Sequence, residues 1–482
     1  MNDSILKCIT MFLRYRDFPG DFSPFENKRY FNLESREKVA VSNEQDLNEY
    51  LSSFFSNINF SKTGIMLSGG IDSALLASYC PKGTIAFTLS YPEMKGIDEV
   101  EQASRYADLF GLKLVVVPVT FQDVLDFQDD LMLHKQRPLS SIEIGIYKMS
   151  LAALDYGLEN LLSGAGADGI FGGLFNIMSK VWTNESFIQR YSFLEPSKVL
   201  KETDDDLSVF EPYFGTNEFN TIGFMQDVFG ASTISYFVNA TSLAQINLLC
   251  PYEYIVPKFA LDFRSMKSGN EKPILRSLFK KRAGEVFVPR KYPLPRPVAF
   301  WERFYGSLEN GEFFSDAYLR CDTAEQKWIV YSADHFLTLF KDKCFNHYKR
   351  AYTTGVYDLF HIGHLKLLKR ASSVCDELIV GVTTDELDSY KNKVPVIKFD
   401  DRIKIIRSLP FVGKAVMQSD MDKVMACKKY NINAVVVGSD WKNTDKWNTY
   451  EKDLKAIGVD VVYFPYTKRI SSTKIVERLK ND

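Results

Sequence analysis

Histidine is nearly missing from this chain, with five residues in 482. Chemistry that needs imidazole therefore has few places to occur, and two of the five, His361 and His364, lie three positions apart. None of the seven cysteines forms a C-x-x-C pair. That removes the usual spacing signals of a zinc site or a disulfide framework and leads us to expect a reducing, cytoplasmic setting. No apolar run is long enough to span a bilayer, and the opening MNDSILKCITMF lacks a signal-peptide layout, so no membrane role is expected. An excess of one charge is absent too. The 59 Lys and Arg nearly balance 61 Asp and Glu, which argues against a broad nucleic-acid surface. There is no internal repeat and no low-complexity tract. What remains is a globular composition, 45% hydrophobic and 25% charged. The chain is too long for one ordinary core, so two or three domains are expected.

The most informative stretch is Tyr352 to Leu368, YTTGVYDLFHIGHLKLL. A β-branched and aromatic strand turns at Gly355 and runs into an apolar pattern of helical period. His361 and His364 fall at the start of that helix, where both rings can project from one face. A helix N-terminus suits phosphate, and imidazoles there can donate hydrogen bonds as phosphoryl charge builds. Strand–helix units then continue, with strands expected at 377–383, 434–438 and 460–464 and helices beginning near Asp400, Asp420 and Thr449. The result is a small doubly wound parallel sheet. Ligand groups should gather at its strand ends. These are Thr354, Gly355 and Asp358 at the first turn, Asp385 after the second strand, and Asp440 after a later one. Lys391 and Arg402 supply cations. Ser472 and Thr473 open the final helix, a further anion site.

A second signal lies at Thr63–Tyr79, TGIMLSGGIDSALLASY. An apolar strand ends at Leu67, and Ser68, Gly69 and Gly70 make a tight loop before a helix near Asp72–Ser73. Such a loop can cradle phosphate, although the lysine of the G-x-x-x-x-G-K-[ST] loop is absent. Strands at 84–90, 113–119 and 160–163 alternate with helices at 98–110 and 142–155. A second Gly-rich loop follows, SGAGADGIFGG at 163–173, carrying Gly166 and Asp168. It could face the first loop across the strand ends, letting Asp72 and Asp168 share a Mg²⁺ that bridges ATP phosphates. The fold class is thus α/β with two doubly wound parallel-sheet domains. An irregular N-terminal cap is expected over 1–60, ending in an amphipathic helix after a Ser/Asn start in SNEQDLNEYLSSFFSN, with a first domain over 61–345 and a second over 346–482.

The strand–TGVYD–LFHIGH–helix string resembles the nucleotidyltransferases with the signature G-x-F-D-x-x-H-x-G-H, and within them the glycerol-3-phosphate cytidylyltransferases. The resemblance implies transfer of CMP from CTP to a small alcohol phosphate, with His361, His364 and Lys391 in catalysis. Ser439 stands where the family's G-D-D-W has an Asp, and Tyr466 and Arg469 depart from its R-T-x-G-I-S-T-T. HIGH also occurs in class I aminoacyl-tRNA synthetases, but KRISSTK is a poor match to their second motif. S-G-G-x-D-S and the second loop resemble the pyrophosphate-loop domain of asparagine synthetases. That likeness runs on through Lys272–Arg276 to Pro289–Lys291 and implies ATP-dependent joining of a carboxylate to an amine, with Lys291 at the reacting centre. Ala165 and Gly169 replace acidic residues of that family, which puts aspartate as substrate in doubt. Its glutaminase apparatus is not expected here, since the first cysteine is Cys8. Ammonia from a separate glutaminase, free ammonia or a primary amine would serve instead. The expected needs are Mg²⁺, CTP and ATP, and the expected assembly is a homodimer.

Overall fold

The computed structural model describes residues 3–17, 24–25, 36–93, 99–204, 206–285, 303, 308–389, 394–467 and 470–481. They form two compact units, Met1–His335 and Phe336–Asp482.

Twelve strands are present among the described residues. Seven lie in the first unit: β1 (Val39–Val41), β2 (Thr63–Met66), β3 (Ile85–Ser90), β4 (Lys113–Pro118), β5 (Asn160–Leu162), β6 (Asn247–Leu249) and β7 (Ile255–Pro257). Five of these make a sheet in the order β4-β3-β2-β5-β6, and every pairing is parallel. β2 is buried along its whole length, as a central strand covered by helices on both faces must be. Helices Ile71–Ala77, Val100–Phe110 and Pro273–Ala283 close one core over it, through Leu75, Tyr106 and Phe279.

Within the first sixty residues the amphipathic helix expected in SNEQDLNEYLSSFFSN, after its Ser/Asn start, is present as Glu44–Ser56, while the stretch before it differs from the expected irregular cap. Asp3–Tyr15 is a buried helix, β1 pairs with β7, and Glu44–Ser56 joins the core through Leu47, Leu51, Phe54 and Phe55. Asn43 caps that last helix by accepting the Asp46 N–H at 3.0 Å. The segment FPGDFSPFENKRYF falls almost wholly outside the described residues. Asp17, just after the first helix, meets Lys135 at 3.5 Å and Arg137 at 3.6 Å, and Lys135 also meets Glu143 at 3.1 Å. Buried charges persist only when paired, so this cluster ties the N-terminal helix to the helices that follow β4. Between β5 and β6 the chain packs by aromatic density. Phe187 stacks on Phe219 at 4.0 Å, and Phe210 on Phe224 at 5.2 Å.

The second unit holds β8 (Tyr348–Gly355), β9 (Cys375–Thr383), β10 (Lys414–Gln418), β11 (Ala434–Gly438) and β12 (Asp460–Phe464), parallel in the order β10-β9-β8-β11-β12. Tyr352, Ile379, Val435, Val461 and Trp447 share its core. The division between units falls inside the helix Ala324–Lys341 rather than at 345/346. Phe336 packs on Phe345 at 4.9 Å, Asp342 pairs with Lys442, and the Cys344 thiol donates to the Tyr463 carbonyl at 3.1 Å. Those contacts bind the end of the helix to the second sheet. The helix expected near Asp420 begins close by, and the one expected near Thr449 begins earlier. Asp422 caps Lys423–Tyr430, and Thr444 caps Asp445–Ala456.

Candidate active sites

In each five-stranded sheet the strand order reverses once, and the crevice at such a reversal is where α/β sheets bind ligands. In the second unit the reversal lies between β8 and β11. Thr354 and Gly355 end β8, and Ser439 and Asp440 follow β11. The helix Ile362–Ser373 rises from the β8 side. His361 is its cap and lies outside the helix proper, its Nδ1 accepting the Gly363 N–H at 3.1 Å. The rings of His361 and His364 stack with centroids 3.9 Å apart. Tyr357 and Phe360 stand against His364 at 5.3 and 5.7 Å.

This enclosure decides the charge of the pair. Burial lowers the pKa of His361 below its ordinary value. His364 falls further, to about 3, through burial first and the neighbouring His361 second. Both rings are therefore neutral at pH 7, and each carries one N–H. Because His361 Nδ1 accepts, its proton sits on Nε2. His364 Nδ1 is buried and makes no hydrogen bond among the described residues. Two neutral donors on a helix start can meet phosphoryl oxygens without a charge of their own.

The sign of the pH effect follows. Histidine in the unfolded chain titrates near 6.5, above both folded values, so between them the unfolded state holds more protons. The stability due to these rings is complete above pH 6.5 and is lost as pH falls towards the folded values. Histidine ¹⁵N spectra at pH 5.5 should show His364 still neutral. The urea midpoint of the second unit should fall between pH 6.5 and 4, with a shallower fall in the doubly substituted His361→Asn/His364→Phe protein. A protonated His364 ring at pH 5.5 would remove this account.

Several expected ligand groups have other work. Arg402 was expected to present its guanidinium to phosphate, but the structure corrects this. The side chain has no exposed surface. Nε donates to the Ile397 carbonyl at 2.8 Å and Nη1 to the Thr383 carbonyl at 2.8 Å. Nη1 also donates to the Val356 carbonyl, and Nη2 meets Asp385 at 2.5 Å. Arg402 is thus a strut joining the end of β9 to the β8 turn, and Asp385 is its counter-charge. Asp358 likewise organises the site. Its Oδ1 accepts from Ile397 at 2.9 Å, its Oδ2 accepts from Val396 at 2.9 Å, and its carbonyl accepts from Ser472 Oγ at 2.7 Å. Ser472 thereby draws the final helix, Ser472–Asn481, to the histidine turn, with Thr473 exposed in its first turn. Ser439 Oγ accepts the Tyr466 N–H at 3.2 Å, so the Ser in place of Asp holds the other departing position. Lys391 and Arg469 lie outside the described residues. The residue missed from sequence is Lys423. It is buried at the start of Lys423–Tyr430, and its ammonium donates to Thr354 Oγ1 at 3.0 Å. A basic residue just past the end of β10 was the available signal.

In the first unit the reversal lies between β2 and β5, and the two Gly-rich loops follow those strands. They meet face to face: a Cβ on Gly164 would lie 3.0 Å from the backbone of Asp72 and Ser73. Ser73 closes the first loop, its Oγ accepting the Ser68 N–H at 3.0 Å, while Ser68 Oγ accepts the Gly70 N–H at 3.2 Å. A Cβ at Gly69 would lie 3.3 Å from the Gln102 Cβ and 3.5 Å from the Glu99 Cβ, so the loop packs closely on the start of the helix Val100–Phe110. Glu99 also accepts the Gly69 N–H, and its pKa is raised by burial. Lys272, almost fully buried, joins the two expected metal ligands. Its Nζ lies 2.5 Å from Asp72 Oδ2 and 2.6 Å from Asp168 Oδ1. Opposing carboxylates hold its pKa above the ordinary lysine value, against the lowering effect of burial, which is the largest single influence. Two carboxylates converging on one cationic point fit a divalent ion as well as an ammonium. Mg²⁺ held by Asp72 and Asp168 would supply positive charge for triphosphate oxygens. Lys291 lies outside the described residues. Gly169 has a steric cause: a Cβ there would lie 2.6 Å from the Met225 carbonyl, in the single π turn Met225–Phe229.

Both halves match known families. Residues 59–221 match the model described as asparagine synthase, and residues 352–478 the model described as cytidylyltransferase-like. The glycerol-3-phosphate cytidylyltransferase of Bacillus spizizenii is 34% identical over 128 residues, which is 26% of this chain and 94% of that protein. The Staphylococcus aureus enzyme of the same name is 33% identical over 27% of this chain and 95% of its own length. An FAD synthase of Methanohalobium evestigatum is 31% identical over 27% of this chain and 88% of its own length. Among the described residues no helix is long and apolar enough to cross a membrane. With its paired histidines at one sheet reversal and facing Gly-rich loops at the other, the chain belongs to the cytidylyltransferase-like family through residues 352–478 and carries an asparagine synthase domain, matched over 59–221, ahead of them in sequence.

Proposed function

We propose that the chain is a bifunctional enzyme. The second unit transfers CMP from CTP to a small, glycerol-like alcohol phosphate. The acceptor phosphate attacks the α-phosphorus in line, the bond to the β,γ-pyrophosphate breaks, and pyrophosphate leaves. His361 Nε2–H and the neutral His364 ring donate to the oxygens on which charge builds, while Lys423, beside Thr354, contributes positive charge. The observation that carries this is the neutral, stacked histidine pair at the β8/β11 reversal. Relatives named glycerol-3-phosphate cytidylyltransferase give the acceptor class.

The first unit, on the same proposal, activates a carboxylate as an acyl-adenylate and passes it to an amine, releasing AMP and pyrophosphate. Convergence of Asp72, Asp168 and Lys272 on one point supports the nucleotide half of that reaction. A single-function transferase whose first unit only binds nucleotide or a partner is the alternative. The π turn that leaves no room for a side chain at position 169 favours it. Surface-polysaccharide precursors are the setting proposed for both products, by analogy alone.

The test is pyrophosphate release by the full-length protein with CTP or ATP against glycerol, ethanolamine, choline and polyol phosphates. CTP with one of these acceptors should give the larger kcat/KM. Relatives named FAD synthase are the reason that ATP enters the comparison. A preference for ATP would reassign the unit, with Ser439 and Tyr466 the first positions to exchange.

A further inference from the structure

The acidic positions lost at Ala165 and Gly169 leave a ligase without a carboxylate to receive its amine. The space for a side chain at 169 is closed by the Met225 carbonyl. Another acid reaches the same loop from a different element. Pro251–Tyr254 is a short turn between β6 and β7. Tyr252 anchors it to the first loop, its hydroxyl donating to the Asp72 carbonyl at 3.1 Å. Glu253 lies against the second loop, its Oε1 filling the space that a Cβ on Gly166 would need. Gly166 has φ +90° and stands two positions before Asp168. On the other side Oε1 faces Gly230, where a Cβ would lie 3.8 Å away. Gly230 follows the same π turn that closes position 169. The carboxylate is half-buried between two glycines and makes no hydrogen bond or ion pair with a described residue.

Resting on the ligase proposal above, we propose that Glu253 is the catalytic carboxylate that receives the amine nucleophile in the first unit and takes its proton. Burial raises its pKa, against a smaller lowering by Lys38, the charged group that faces it, which suits an acceptor of protons. The step balances. The amine lone pair forms the C–N bond to the acyl carbon, and the C–O bond to AMP breaks with its electron pair on the departing phosphate oxygen. The surplus proton on nitrogen passes to Glu253.

The test uses the full-length protein, Glu253→Gln and Glu253→Asp. Acetate, glycerate, aspartate and glucuronate serve as carboxylates; ammonium chloride, ethanolamine and hydroxylamine serve as nucleophiles. Carboxylate-dependent ATP–pyrophosphate exchange reads adenylation alone. Hydroxylamine is neutral at pH 7 and reads trapping of the acyl group without help from a base. Glu253→Gln should keep exchange and hydroxamate formation within a few-fold of the parent and lose amide formation with ammonia or ethanolamine by about 100-fold. Glu253→Asp should recover part of it. Amide formation at the parent rate in Glu253→Gln overturns the assignment and leaves the ligase proposal standing. Loss of exchange in both variants also overturns it, making Glu253 a structural residue. No exchange in the parent sinks the ligase proposal and the assignment together.

Discussion

Cytidylyl transfer should fall by about two to four decades in kcat when His361 or His364 is replaced by alanine, with CTP affinity changed only a few-fold. The two positions call for different controls. His361 caps its helix through Nδ1 and offers Nε2–H outward, so alanine removes both cap and donor. His361→Asn can keep the cap through its side-chain oxygen while losing the Nε2 donor. It should match the alanine variant in kcat and exceed it in thermal stability. His364 sits among Tyr357, Phe360 and His361. Phenylalanine there preserves much of the ring contact and removes the nitrogen atoms. Near-normal turnover in His361→Asn and His364→Phe would make the pair structural and end the proposed mechanism.

Lys272→Met should have the largest effect on the first unit. Its ammonium is nearly inaccessible and neutralises Asp72 and Asp168 together. Removing one partner from a buried ion cluster typically costs about 3–5 kcal/mol, because the charges left behind cannot all rehydrate. Here the aspartates keep some solvent access, so the lower end is expected. Urea unfolding followed by a probe in the first unit measures it. Millimolar MgCl₂ should recover part of the loss, since the freed carboxylates present a divalent site. AMP formation should vanish in Lys272→Met and in Asp72→Asn. Turnover of CTP should stay within a few-fold of the parent in both, because each unit has its own strand–helix series and its own charged groups. No recovery with Mg²⁺ would argue against metal at these aspartates. Loss of CTP turnover in a folded Asp72→Asn protein would reveal coupling between the sites.

Periodicity and local motifs carry the parts of this protein that are local. β2, β3, β4, β5, β8, β9, β11 and β12 fall where apolar and β-branched runs predict strands, and the two Gly-rich loops and the histidine turn are readable as strings. Each is decided by neighbours in sequence: side-chain alternation, turn chemistry and helix caps. β1, β6, β7 and β10 are not among the expected strands; the first three have only three residues, as β5 has, but no Gly-rich loop follows them to mark a strand end as one does after β5. The region between β5 and β6 is held by Phe187, Phe210, Phe219 and Phe224, whose contacts follow no repeat.

Charge and partnership were decided only by tertiary structure. Arg402 and Lys391 look alike in sequence as cations near a phosphate site, yet burial beneath three carbonyls and Asp385 makes Arg402 a strut. Lys272 stands in sequence only as part of a family likeness, and Lys423 as an ordinary basic residue, until folding brings them, across 200 and 69 positions of chain, onto Asp72 and Thr354. His364 loses its charge because three rings enclose it. Glu253 faces Gly166 because its turn between β6 and β7 comes round to the second loop. Sequence by itself determined most of the longer strands, the two Gly-rich loops and the histidine turn. Desolvation and contacts distant in sequence decided which side chains can act, because a pKa and a hydrogen-bond partner depend on what surrounds a group in space.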